Sequence, residues 1–370
     1  MTEEKITIWY LAGGLGIGGT GRTRVELWNN LDREKFDFRV FTLTDKVPLA
    51  EYLDDDISVT VLDAKSKADM RVPMKFAAKV RRHEPDILQS QLFFDNTVAR
   101  VAGLANNNTT VITGIRCVPD NPQWVRSLIN RSLVSLSDHI VSNSKAGANL
   151  AVDRGADPSN VSVIYNGRDL DVYKTAQASP KLWSELNIPE SATVVGNVGR
   201  LITRKGHYDL LEAWPDVVAS YPDTHLLIVG GGPEENGLVQ MIRDLGIEES
   251  VTIAGYRNDV PELLDLMDVF VFPSHFEGLP GALLEAMGAG LPIVTTPVDG
   301  NSELVVDEKS GLHVPAKSPG QLTAGVIRLL EDSRLTKRLA MNAQTRAFEK
   351  FSTDRMVQKF QGLYLQLEDE

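Results

Sequence analysis

The sequence contains one cysteine, Cys117, in 370 residues. A lone thiol excludes an internal disulfide framework and any metal site built from clustered cysteines, and its ordinary role is that of a small core residue. No stretch approaches the roughly 18 consecutive apolar residues that a bilayer crossing needs. The N-terminus, Met1-Thr2-Glu3-Glu4-Lys5, has acids where a secretory signal has bases, and the apolar run behind it is one strand long before glycines interrupt it. A cytoplasmic protein is expected. A basic surplus is also missing: the net charge is −12, and 21 Lys and Arg against 22 Asp and Glu in residues 1–172 leave 17 against 28 in residues 173–370. That balance argues against a nucleic-acid partner, which needs a basic footprint, but leaves the first half free to approach an anionic surface.

What is present is ordinary globular composition, 42% hydrophobic and 24% charged, at a length that suggests two domains. Strand-like apolar runs at Ile6–Leu11, Phe38–Leu43, Val59–Leu62, Ile87–Gln91, Val111–Ile115, Ile140–Asn143 and Val161–Tyr165 alternate with helix-period segments. The alternation lapses into a polar connection around Asp169–Pro189. It resumes at Thr193–Val198, Leu226–Val229, Val251–Ala254, Val269–Pro273, Ile293–Thr296 and Leu312–Val314, and only helices follow about Ser318, the last being Thr353–Glu368. Strands alternating with helices predict parallel sheets covered on both faces. The expected fold is therefore α/β, with two doubly wound, Rossmann-like domains facing a central cleft. The expected divisions are residues 1–172, residues 173–350 and a helical tail, 351–370, that packs back on the first domain. Ligands of such sheets bind outside the carboxyl ends of the strands.

Three motifs lie at such ends. Gly14-x-Gly16-x-x-Gly19, after the first strand, fits the spacing of a dinucleotide fingerprint, with Asp45 near the end of the second strand as a ribose acid. Six glycines in nine positions satisfy many templates, and a mobile loop is an adequate explanation. The loop has no Gly-Lys-Ser/Thr of a P-loop, and none of the eight tyrosines has a lysine four residues on, as a short-chain oxidoreductase would require. In Gly196–Trp214, Arg200 and Lys205 leave a strand together and suit a diphosphate, the first as a fork and the second as a point charge.

In Phe272–Thr296 a strand, a turn at Gly278–Gly281 with Pro280 at the first helical position, and a helix from Ala282 offer backbone amides near Gly281–Leu284 to phosphate oxygens. Carboxylates do not bind phosphate, so Glu277 and Glu285 are assigned to hydroxyls of the same ligand. An isolated Glu would more ordinarily cap its helix or face solvent.

Glu277 and Glu285, with seven residues between them and "EGLPGALLEAMGAGLPIVTT" around them, resemble the signature of the retaining family-four, or group 1, glycosyltransferases of the two-Rossmann GT-B type. The likeness continues through "GGTGR", "DHIVSNSKAGANL", "VIYNGRDLDVY", "GRLITRKG", "LLIVGGGPE" and "VTIAGYRNDVPELL". The resemblance implies a hexosyltransferase that uses a nucleotide-diphospho-sugar, UDP-linked by expectation, with no cofactor and no metal, and that retains configuration.

Further roles follow from the same resemblance. It makes Arg200 and Lys205 the diphosphate grip, Glu277 the partner of the sugar's hydroxyls and Glu285 that of the ribose. It gives Gly255, Tyr256 and Arg257 the base-binding edge, Gly281, Ala282 and Leu283 the phosphate amides, and Gly18 and Gly19 the first-domain loop near the phosphates. Two positions depart from it. Arg116 stands where many relatives have a His, and is open between an acidic ligand and a pairing with Asp120. Arg168 stands in "NGRD" where a small aliphatic residue is usual.

Arg116 and Asp95 are the acceptor-side candidates, the acceptor being a glycan, a lipid-linked glycan or a small molecule. Asp54-x-Asp56 reads as a solvated acidic loop rather than a metal motif, and the six histidines do not cluster. His275, two residues before Glu277, is the one worth testing. The basic stretch near 71–83, with Lys75, Lys79 and Arg82 on one helical face and Phe76 and Val80 on another, is the candidate for peripheral contact with an anionic membrane. An NAD-dependent oxidoreductase, and an epimerase or nucleotide-sugar binding protein on the same scaffold, stand as alternatives.

Overall fold

The computed structural model describes residues 4–16, 18–65, 69, 71–116 and 124–368; Cys117 and Asp120 lie outside the described residues. The chain forms two compact units, Met1–Gly167 with Thr353–Glu370, and Arg168–Ser352. The division falls between Gly167 and Arg168 because Arg168 already bonds within the second unit, its amide donating to the Phe351 carbonyl (3.1 Å).

In the first unit the strands are β1 (Ile6–Ala12), β2 (Phe36–Thr42), β3 (Val59–Val61), β4 (Ile87–Ser90), β5 (Thr110–Ile115), β6 (His139–Ser142) and β7 (Val161–Val163). They pair in parallel in the order β3-β2-β1-β4-β5-β6-β7. Side chains on one face, Ile8, Tyr10 and Val40 among them, pack with Trp28 and with Met356, Phe360 and Tyr364 of the final helix, Thr353–Glu368. On the other face Trp9, Leu11 and Phe41 pack with Val72, Phe76 and Val80 of the helix Arg71–His83. Two-sided burial explains why these strands read as continuous apolar runs rather than as alternating ones.

The final helix belongs to this unit through polar bonds as well. Thr353 Oγ1 donates to Glu26 (2.9 Å), the amide of Asp32 donates to Gln361 (2.7 Å), and the buried Tyr364 hydroxyl donates to Gln89.

The second unit holds β8 (Thr193–Val198), β9 (Thr224–Val229), β10 (Val251–Gly255), β11 (Val269–Phe272), β12 (Ile293–Thr295) and β13 (Leu312–His313), in parallel order β10-β9-β8-β11-β12-β13. Each expected strand is found, Thr193–Val198 with the same ends and the others with one or both ends shifted by one or two residues. The stretch Asp169–Pro189 differs from the expected polar connection: it contains two short helices, Asp171–Thr175 and Pro180–Glu185. Pro180 opens the second helix, and Leu182, Leu186 and Ile188 are buried, which supplies the apolar anchorage that the polar composition hid.

In both sheets the strand order reverses once, between β1 and β4 and between β8 and β11. Within each unit, the loops leaving its two strands flank the crevice that such a reversal opens at that sheet's carboxyl edge.

Candidate active site

In the second unit the reversal brings together the loops after β8 and β11. Asn197 Nδ2, at the end of β8, donates to the Val271 carbonyl of β11 (2.7 Å), fixing one strand end to the other. The β8 loop passes Gly199 and Arg200, makes a tight turn at Thr203–Lys205 and enters the helix His207–Ser220 through Gly206, which has φ 73°. A Cβ at Gly206 would come 2.1 Å from the Pro273 carbonyl oxygen, so only glycine allows both this left-handed backbone and the close approach of the β11 loop. The amide of His275 donates to the Arg204 carbonyl (2.8 Å), and His275 Nε2 lies 2.6 Å from Asp209 Oδ2. The two loops are thus tied at backbone and side-chain level, and His275 ties them rather than standing free.

Lys205 and Glu277 meet across this junction. Lys205 Nζ donates to Glu277 Oε1 at 2.5 Å and lies 4.8 Å from the centre of the Phe272 ring. Both side chains are largely shielded, 14% and 7% exposed. Arg200, by contrast, is exposed and makes no side-chain bond among the described residues.

Below the loop His207 is 2% exposed with neither ring nitrogen hydrogen-bonded among the described residues. Burial, helped by the nearby Lys205 cation, pushes its pKa down to about 4. It is therefore a neutral group near pH 7 and adds no charge to the site.

Beyond Glu277 the β11 loop delivers the helix Gly281–Gly288. Pro280, expected as the first helical residue, stands one place earlier as the N-cap, with φ −75° and ψ 122°. Proline has no amide and its extended ψ cannot continue the helix backwards, so the helix begins at Gly281. No side chain caps that terminus, so the first-turn amides of Gly281, Ala282 and Leu283 have no capping side-chain acceptor.

Neither ordinary reading of the two acids holds. Glu277 does not cap the helix, and Glu285 is buried, its Oε1 accepting from Arg168 Nε at 3.2 Å. The apolar residues Leu283, Leu284, Ala286 and Met287 bury the rest of this helix in the core. Its inner end is therefore held rigidly.

Gly255, with φ 68°, ends β10, and its carbonyl accepts from the amide of Gly230 (2.8 Å). Tyr256 is exposed. Arg257 forks onto Asp259 (2.8 and 2.5 Å) and reaches Glu185 (2.5 Å), so its guanidinium braces this rim.

The remaining candidates belong to the first unit. Gly18 and Gly19 are exposed at the start of the helix Gly19–Asn29, Gly18 as its N-cap. Asp95, expected to face an acceptor, is 2% exposed. Its carboxylate meets Arg24 Nη2 (3.3 Å) and the amide of Gly13, while Arg24 Nη1 donates to the Gly14 carbonyl (3.2 Å) and Nε to Gln91 (3.3 Å). Burial pushes the Asp95 carboxyl up, against the pull of Arg24. This buried network joins the loops after β1 and β4 and fixes the glycine loop; sequence reading missed Arg24 and Gln91 in it. Arg116 donates to Asn166. Arg33 holds Asp56 at 2.7 Å and Asp54 at 3.7 Å, so the Asp54-x-Asp56 pair is already occupied. Among the described residues no group of three or more His, Cys, Asp or Glu is gathered to hold a metal ion, and no helix is long and apolar enough to cross a membrane.

Comparison with known proteins follows the same division. The family described as Glycosyl transferases group 1 matches residues 180–346, and Glycosyltransferase Family 4 matches residues 17–172. The chain is 24% identical, over 99% of its length and 98% of the relative's, to the Escherichia coli UDP-Gal:alpha-D-GlcNAc-diphosphoundecaprenol alpha-1,3-galactosyltransferase. It is 26% identical, over 94% of its length and 96% of the relative's, to the N-acetylgalactosamine-N,N'-diacetylbacillosaminyl-diphospho-undecaprenol 4-alpha-N-acetylgalactosaminyltransferase of Campylobacter jejuni. Among solved structures, Anabaena HepE in complex with UDP superposes with a TM-score of 0.84 at 22% identity, covering 97% of this chain and 100% of that one. Sucrose-phosphate synthase from Thermosynechococcus elongatus gives 0.82 at 19%, covering 98% and 99%. The shared architecture is the GT-B fold.

Proposed function

The chain belongs to the group 1 glycosyltransferases, and from that premise we propose that it transfers a hexose or N-acetylhexosamine from UDP to a glycan, lipid-linked glycan or small acceptor, without a metal and with retained configuration. As a transferase of this family it takes a nucleotide-sugar donor, which displaces the oxidoreductase alternative. The observation that carries the finer reading is the convergence of Lys205, Glu277 and the uncapped Gly281 terminus at the β8–β11 reversal.

The chemistry follows from charge. Breaking the bond between the sugar's anomeric carbon and the diphosphate oxygen leaves an extra negative charge on the β-phosphate. On this reading Arg200, Lys205 and the amides of Gly281, Ala282 and Leu283 meet it, and they act most strongly where that charge is greatest, in the transition state. Lys205 has three N–H donors, so it can keep its bond to Glu277 while donating to a phosphate oxygen. Glu277 is then held beside the diphosphate with a lone pair free for a sugar hydroxyl, and Glu285, one helical turn beyond Gly281, serves the ribose. Gly255, Tyr256 and Arg257 would offer backbone groups and an exposed ring to the base, and the same reading assigns Gly18 and Gly19 to donor binding. The acceptor hydroxyl attacks the same face that the diphosphate leaves, and its proton passes to the departing phosphate oxygen. Arg116 is assigned to the acceptor side; Asp95 supports the glycine loop from below.

The acceptor reading extends to an anionic membrane surface. In the helix Arg71–His83 Val72, Phe76 and Val80 are turned into the core, which leaves Lys75, Lys79, Arg81 and Arg82 outside with the exposed Met74. A second helix of the same unit, Trp124–Leu133, contains no buried residue and no acid. It exposes Trp124, Val125 and Leu128 beside Arg126 and Arg131. Bases interleaved with an exposed Trp suit the boundary of an anionic bilayer.

A thermal-shift screen against UDP-, GDP- and ADP-sugars, followed by a transfer assay with and without EDTA, tests the donor reading. A shift confined to UDP-sugars with EDTA-resistant turnover supports it. A shift with another nucleotide, or loss of turnover in EDTA, overturns those parts.

A further inference from the structure

We propose that Arg168 is a positioning residue for nucleotide recognition: it fixes the Glu285 carboxylate in the orientation that receives a ribose hydroxyl, so preference for a ribose over a deoxygenated sugar depends on Arg168. The inference rests on reading Glu285 as the ribose partner.

Three observations carry it. First, the pair is enclosed: Arg168 Nε lies 3.2 Å from Glu285 Oε1, and the two side chains are 5% and 8% exposed. A carboxylate in such a place needs a cation or several N–H donors to remain there. Second, Arg168 is anchored at both ends. Its backbone pairs with Ser352 and its amide bonds to Phe351, so the side chain starts from a fixed point on the edge of the second unit. Third, the far end of the guanidinium lies against the start of the helix that carries Glu285. A Cβ at Gly281 would stand 2.7 Å from Arg168 Nη2, so glycine at 281 and arginine at 168 are sterically complementary. The guanidinium therefore runs alongside one full turn, from residue 281 to residue 285, and holds the carboxylate relative to the same helix terminus that offers amides to phosphate.

The geometry divides the labour within Glu285. Oε1 is taken by Arg168, and Oε2 has no bond among the described residues. A ribose hydroxyl donating to Oε2 would meet an acceptor whose rotamer is already set, which lowers the entropy lost on binding. A small aliphatic residue at 168 would fill space but could neither orient nor neutralise the acid.

Isothermal titration of UDP and of 2′,3′-dideoxyuridine diphosphate into the full chain, and into its Arg168→Met, Arg168→Lys and Glu285→Gln variants, tests this. Wild type is expected to prefer UDP by about tenfold or more, the size of a hydrogen bond to a charged group. Arg168→Met should shrink the preference to about twofold while holding affinity for the dideoxy compound within about threefold, a loss confined to the hydroxyl contact. Arg168→Lys should fall between the two.

A merely structural role would weaken both ligands alike, and that result, or a wild-type preference retained in Arg168→Met, overturns the inference. Should Arg168→Met fail to fold, an unchanged preference in Arg168→Lys overturns it instead. Equal binding of the two ligands by wild type removes the ribose reading beneath the inference. No binding of UDP, GDP or ADP removes the proposed function itself.

Discussion

Lys205 Nζ lies 2.5 Å from Glu277 Oε1, joining loops that are 72 residues apart in the chain. The contact supports two roles that can be separated. Lys205→Met strands a shielded carboxylate and should cost about 1–3 kcal/mol of stability. The double variant Lys205→Met with Glu277→Gln should regain most of that in denaturant titrations, since neither partner is then left charged. Turnover should not return: both forms are expected to lose about 10²–10³-fold in kcat, as loss of a group that stabilises developing charge does.

Arg200 gives the complementary case. It is exposed and unbonded among the described residues, so Arg200→Ala should change stability by no more than about 0.5 kcal/mol. Its kcat/KM for sugar transfer should nonetheless fall by about 10²-fold or more. Unchanged transfer kinetics would remove Arg200 from the diphosphate site.

His207 makes stability depend on pH. Its pKa in the folded chain is pushed down to about 4, below the value near 6.5 of an unfolded histidine. Between those values the unfolded chain binds the extra proton, so stability rises with pH through this window and the contribution is lost as pH falls from about 6.5 to 4. The full effect is at most about 3 kcal/mol. His207→Gln should flatten the denaturation midpoint across pH 4–6.5 relative to wild type; identical slopes would contradict the buried neutral histidine.

In the first unit Arg24 and Asp95 form a buried pair with side chains each 3% exposed. Arg24→Met leaves Asp95 without its cation and should cost about 3–5 kcal/mol. Arg24→Met with Asp95→Leu should cost less than Arg24→Met alone, measured by urea unfolding.

Membrane contact is checked by vesicle flotation. Wild type should bind anionic vesicles more than neutral ones, with binding weakened by salt. Substituting Trp124, Leu128, Arg126 and Arg131 together by Ser should abolish flotation without lowering transfer to a short water-soluble acceptor. Equal recovery on neutral vesicles, or none on either, would contradict this surface.

Much of the fold was readable from periodicity alone, because strands buried on both faces are short apolar runs and the connecting helices keep a 3.6-residue repeat. The limits were reached where polar composition concealed burial, as in the helix Pro180–Glu185, and where one residue's backbone decided a boundary, as at Pro280. At the site, residue types and their placement after strands were visible. Which groups meet was not: Arg168 and Glu285 are 117 residues apart, and only the packed helix joins them. Sequence reading assigns Asp95 to the acceptor side and gives Arg24 and Gln91 no role; only the β1–β4 reversal joins the three beside the glycine loop.

The central claim is that the second unit grips a nucleoside diphosphate through Arg200, Lys205 and the Gly281 helix terminus. Calorimetric titration of UDP and of uridine into wild type and into the Arg200→Ala, Lys205→Ala double variant measures it directly. Wild type should bind UDP far more tightly than uridine, with the difference largely lost in the variant. Equal affinity for the two ligands in wild type, or a variant that holds UDP as wild type does, would contradict the account.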